Sequence, residues 1–166
     1  MTHEEKVQRW TKFKSFEEQW NTRKPYSFRP IYYEDSDPSS GTFFPRIWHI
    51  NSCQVMAEQH IELARILLAV SNPKISRIGL GTSFANASLE AELRSIARRL
   101  VGLGISNPKM PPALVTSAVG ISMCGGYFRD PREQEALVDV LVCLEVEHAW
   151  PTETTIGALR KAWCYN

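Results

Sequence analysis

The chain has 166 residues, of which 43% are hydrophobic, 22% charged and 10% aromatic, the composition of one ordinary globular domain. Nineteen Lys+Arg against eighteen Asp+Glu leave a net charge of +1, which lacks the basic excess of a chain that neutralises several phosphates and argues against direct nucleic-acid binding. The charges are also spread, 8 basic and 7 acidic in residues 1–50, 7 and 4 in 51–110, and 4 and 7 in 111–166, so no segment forms a basic arm or an acidic tail.

The N-terminus, Met1-Thr2-His3-Glu4-Glu5, is polar and acidic and has no apolar run of the kind a secretion signal needs, so an intracellular chain is expected. Over residues 4–23, Val7, Trp10, Phe13, Phe16 and Trp20 recur at steps of three or four between Lys, Arg and Glu, which predicts an amphipathic helix with an aromatic face. Pro25 and Pro30 end it. Residues 31–42, with the run Glu34 to Gly41, have the composition of a solvated loop and are expected to form a mobile connection.

From Trp48 to Val70 there is neither Gly nor Pro, and apolar residues cover most of the circumference, so a central helix starting by His49 is expected. Its most apolar stretch, Ile61 to Val70, is interrupted by Glu62 and Arg65 and is too short to span a bilayer. Residues 72–86 are rich in turn formers. Leu89, Leu93, Ile96, Ala97 and Leu100 then predict a third helix ending near Gly102 and Gly104. The β-branched content of 113–124 suits a strand, but its length and lack of alternation suit a buried helix, and with no other strand expected to pair with it the helix is preferred. Asp130-Pro131-Arg132-Glu133 combines an N-cap, a proline at the first helical position and an early acid, the best-signalled helix start in the chain. Pro151-Thr152 opens a last short helix that turns Ile156, Leu159 and Trp163 inward. The expected fold is all-α, about six helices in an irregular bundle, one domain over residues 1–166.

Placed on one helix, His49, Cys53, Met56 and His60 fall at i, i+4, i+7 and i+11, a line of polarizable and titratable groups. With Trp48 they are the expected ligand-binding wall, and His49, Cys53 and His60 are the candidates for a catalytic role. A shared metal is not expected, because His49 and His60 would lie about 16 Å apart along the axis at 1.5 Å per residue. The stripe runs on into Ala64 and Leu67, which favours packing and pocket lining. Four cysteines, Cys53, Cys124, Cys143 and Cys164, contain no Cys-x-x-Cys pair and read as reduced thiols, mostly buried, with no cofactor implied. Gly120-Ile121-Ser122-Met123-Cys124 lacks the last glycine of a nucleophile elbow, and Gly79-Leu80-Gly81 is too short to cradle a phosphate and reads as a turn. Glu90 pairs by spacing with Arg94, whereas Glu58 and Glu62 are expected on the outer side of the second helix. The five Trp are expected as packing anchors or pocket lining.

The segments Phe128 to Leu137, Leu144 to Thr152 with its Trp150-Pro151 turn, and Leu159-Arg160-Lys161-Ala162-Trp163 together resemble the close of the fungal-specific transcription factor domain, which follows a binuclear zinc cluster in many fungal regulators. Upstream, the helix with Trp10 and Trp20 followed by Pro25 to Pro30 is similar to that family's tryptophan helix and proline linker, and the blocks Phe43 to Ile47 and Glu58 to Leu68 are similar as well. The family's zinc cluster needs six cysteines in a compact basic segment, which this chain lacks. The chain therefore matches a piece of a longer regulator or a small free-standing relative. The resemblance implies a regulatory, effector-responsive domain without DNA binding of its own, located in the nucleus and acting through a protein partner or homodimer, with room for a small apolar metabolite. The rival reading is a small cytoplasmic enzyme of fungal secondary metabolism, an isomerase or cyclase, that reuses the helical pocket.

Overall fold

A computed structural model describes residues 2–75 and 81–164. Its helices are α1 (His3–Arg23), α2 (Ser52–Val70), α3 (Thr82–Ile105), α4 (Pro111–Cys124), α5 (Pro131–His148) and α6 (Glu153–Cys164), and between α1 and α2 run two short antiparallel strands, β1 (Tyr32–Glu34) and β2 (Arg46–Trp48). The protein is all-α, as its periodicity implied, with one small sheet that the periodicity did not reveal.

Helix α1 starts where Thr2 and Glu5 cap each other: the Thr2 hydroxyl accepts from the Glu5 amide and the Glu5 carboxylate accepts from the Thr2 amide. Within 31–42, expected as a mobile connection, the structure forms a short strand and a capped turn. Tyr32, Tyr33 and Glu34 pair with Trp48, Ile47 and Arg46, the Tyr32 and Trp48 rings lie 4.9 Å apart, and Asp37 caps a short turn whose exit Gly41 has φ of 83°. Aromatic pairing across the strands and a local side-chain cap hold this segment and outweigh its polar composition.

The start of the second helix is corrected too. Trp48 belongs to β2 and His49 follows it, because the backbone there is extended; α2 begins only after Asn51, whose side chain accepts from the Gln54 amide while Gln54 accepts from the Asn51 amide. Strand β2 is fastened to the end of α3, where the Ile47 amide donates to Ser106 Oγ at 2.9 Å and Asn107 Nδ2 donates to the Ile47 carbonyl at 3.0 Å. A β-carbon on Gly102 would collide with the Pro45 carbonyl, so glycine is required for this approach. Helix α3 begins at Thr82, earlier than the apolar spacing indicated, since a helix nucleated on a packed face extends through neutral residues such as Ser83 and Asn86. The Gly79-Leu80-Gly81 turn lies outside the described residues apart from Gly81, which stands at the N-cap of α3.

Helices α3 and α4 form the centre. Leu93, Ile96, Ala97 and Val101 of α3 meet Leu114 and Ile121 of α4, with Leu137, Leu141 and Leu144 of α5 completing one buried cluster. Gln59 of α2 ties the layers by donating to the Leu100 and Ala113 carbonyls. Asp130 caps α5 through the Arg132 amide at 2.9 Å, and Ala149 ends it in the left-handed conformation at φ 54°. Trp163 of α6 donates to the Gly125 carbonyl at 2.9 Å, closing the bundle.

Candidate functional site

The expected wall of Trp48, His49, Cys53, Met56 and His60 does not form one surface, because the chain turns from strand to helix within it. Trp48 is half-exposed against Tyr32, and Cys53 is exposed in the first turn of α2. His49 is only 7% exposed, and neither ring nitrogen has a hydrogen-bond partner among the described residues. Met56 and His60 do share a shallow pocket of about 420 Å³ with Val115, His148 and Trp150. There the His60 Nδ1 sits 2.7 Å from the Met56 carbonyl, a bond that occupies this nitrogen as donor. Among the described residues no three His, Cys, Asp or Glu side chains gather as a metal site.

Of the cysteines, Cys124 is buried and burial pushes its thiol up to about 11, Cys143 is partly buried, and Cys53 and Cys164 are exposed, which corrects the expectation that most are buried. The near-match around Ser122 lies within α4, and the hydroxyl donates to the Val119 carbonyl at 2.7 Å, so it is an ordinary helical serine. Trp10 and Trp163 are packing anchors that also donate hydrogen bonds, Trp20 packs edge-on against Phe28, and Trp48 and Trp150 remain half-exposed.

The acids tell a different story from the one spacing suggested. Glu58 and Glu62, expected on the outer side of the second helix, are buried between α1, α2 and α3. Lys24 and Arg99 hold Glu58 at 2.9 and 3.1 Å, Arg99 and Arg65 hold Glu62 at 2.7 and 2.9 Å, and Arg65 continues to Glu17 at 2.7 Å. Lys14 closes the row on Glu17 at 2.6 Å. Signs alternate from Lys14 to Lys24, so each buried carboxylate meets two cations. Burial pushes the carboxyls of Glu58 and Glu17 up, but the hydrogen bonds from their cationic partners outweigh it and both stay below the ordinary value. For His49, beside this row, burial is the largest influence and holds the imidazole below its usual value, against the pull of Glu58 and with the push of Arg99 and Lys24. A signal for the row was present: charges on a helix that is apolar on most sides must be buried somewhere, and buried charges need partners.

A mostly apolar surface also runs along α1 and α2. Trp10 Nε1 donates to the Leu68 carbonyl at 2.8 Å and pins the two helices together, while Lys74 Nζ lies 5.2 Å from the Trp10 ring centre. Beside this pin opens a groove of about 630 Å³ floored by Trp10, Phe13, Phe16, Ile61, Ala64 and Leu67. Phe13 and Phe16 are each 53% exposed. The aromatic face of the first helix, read from its spacing, is therefore only half used for packing. No helix among the described residues is long and apolar enough to cross a membrane. No family model, curated protein or solved structure matches the chain.

Proposed function

We propose that this chain is the regulatory, effector-responsive domain of a regulator of the fungal zinc-cluster type, or a free-standing relative of one, and that it works through protein contacts without touching DNA. The observation that carries the reading is the open groove on α1 and α2, where Phe13, Phe16 and Leu67 stay more than half exposed. An apolar surface of this kind is the usual mark of a protein contact. The near-balanced charge and the resemblance of the tryptophan helix and the Trp150-Pro151 turn support it. The smaller pocket of Met56, His60, His148 and Trp150 is the place in this reading for a small apolar metabolite. The nucleus is its site of action.

The enzyme reading has less behind it. His49 is sealed between β2 and the ion-pair row, Cys53 is on the surface, and the acids that could assist are each held by two cations. Deleting the gene in its host, with transcripts of neighbouring genes and the metabolites recorded together, separates the two. The regulatory reading expects those transcripts to rise or fall as a group. Steady transcripts with one accumulating intermediate would overturn it in favour of catalysis.

A further inference from the structure

We infer that the groove between α1 and α2 docks a short acidic amphipathic helix of a partner protein. Its shape sets the class of occupant. The lining runs from Lys6 to Glu17 on α1 and from Ile61 to the C-cap Ser71 of α2, which at 1.5 Å per residue is a trough about 15 Å long, the length of a helix of roughly three turns. A trough between two helices receives a third by the same ridge-and-groove packing that builds a bundle, with apolar anchors at i, i+3 and i+7 meeting Trp10, Phe13 and Leu67.

Charge sets its composition. On α1, Lys6, Arg9, Lys12 and Lys14 fall between the acids Glu4-Glu5 and Glu17-Glu18, a short basic stretch on a helix that is nearly balanced overall. Lys6 and Arg9 line the groove together with one acid, Glu17, and Lys74 stands over Trp10 at its end. Lys14 is held by Glu17, but Glu17 is buried and committed to Arg65 as well, so the acid does not cancel the rim. A helix with Asp and Glu flanking its anchors complements this surface, and the complementarity also speeds encounter. A second copy meeting the same face would set one basic rim against another. A flat anionic membrane fits poorly, since the apolar floor lies in a recess between helices instead of on a protruding face.

The inference rests on the regulatory reading in taking the occupant to be a protein, but its test is independent of transcription. The probe is a fluorescein-labelled 14-residue peptide with Leu and Phe at i, i+3 and i+7, Glu at four flanking positions and Ala or Gln elsewhere to keep it helical, titrated with the purified full chain and followed by anisotropy. Micromolar binding is expected, weakened about tenfold by Phe13→Ser and by Lys6→Glu, and lost when the acids of the peptide are replaced by Lys. Both positions are exposed, and circular dichroism must show unchanged helix content and melting in each variant. The inference is overturned by equal binding of the Lys peptide, by binding indifferent to both substitutions, or by no binding of the acidic peptide. Two further results overturn it as well: uptake of the chain onto anionic vesicles that Phe13→Ser abolishes, or self-association that the same change abolishes, the latter pointing to the exposed Glu135, Asp139 and Val146 face of α5 in a second copy. A failed titration beside a grouped transcript response would remove the groove as the contact and leave the regulatory reading standing.

Discussion

Arg99 is the residue whose removal should be felt most widely, because it serves two buried carboxylates at once, Glu58 and Glu62. Arg99→Met leaves each buried acid with a single, partly exposed cation, Lys24 or Arg65. Breaking a buried pair costs about 3–5 kcal/mol, and the surviving partners place this case near the lower end, about 3 kcal/mol in urea unfolding. Arg99→Lys should recover only part of it, since an ammonium cannot present the guanidinium's two directed donors to both acids. A loss below about 1 kcal/mol for Arg99→Met would mean that the row is no more than a set of surface pairs.

His49 makes the second prediction at this scale. Burial holds its pKa below 6.5, so the folded protein carries it neutral while the unfolded chain titrates near 6.5. Between those two values the unfolded state binds more protons, and stability present above about pH 6.5 is lost as pH falls through the folded value. Glu58 and Glu17, held below 4.5, lose their contribution only at lower pH, so their window is separate. The melting temperature should therefore fall from about pH 7.5 to about pH 5, and His49→Leu should flatten that fall. An unchanged slope in the variant would assign the titration to another group.

At the scale of elements, ends and close approaches decide where helices start and stop. Helix α5 terminates on Ala149 at φ 54°, where the β-carbon is strained against the backbone and glycine is not. Ala149→Gly should raise stability by about 1 kcal/mol, seen as a higher melting temperature with the same helix content. Gly102→Ala should do the reverse, because its methyl group would meet the Pro45 carbonyl and push β2 from α3; overpacking of this kind costs about 1–3 kcal/mol. The same logic explains which boundaries were legible. Asp130-Pro131 announced α5 because its cap is an interaction within four residues. The capping box of Asn51 and Gln54 was equally local and marked the true start of α2, but the absence of any Gly or Pro from Trp48 onward obscured it. Strands β1 and β2 were not legible, since three residues are too few to show alternation and their partner lies across a loop.

For the whole molecule, burial is uneven and dynamics should follow it. Helix α3 buries Leu93, Ile96, Ala97, Leu100, Val101 and Leu103, whereas Glu17 is the one buried residue of α1. In native-state hydrogen exchange, the amides of Leu93 to Leu103 should open only with global unfolding, while those of Lys6 to Phe16 exchange at least about tenfold faster through detachment of α1. Uniform protection across both helices would show instead that α1 is part of one cooperative unit.

The helical class and the six helices follow from the sequence, because a 3.6-residue repeat of apolar side chains and local caps are written within one or two turns of chain. So does the aromatic face of α1. Which side of α2 is buried was beyond it. Glu58 and Glu62 went inward because Lys24, Arg65 and Arg99, up to 41 positions away, arrived to neutralise them. The line from His49 to His60 broke because Ile47 was drawn into a strand docked on Ser106 and Asn107. Phe13 and Phe16 were left in an open groove because α2 covers only part of α1. Each of these depends on contacts between segments distant in the chain, whose geometry exists only once the helices have packed.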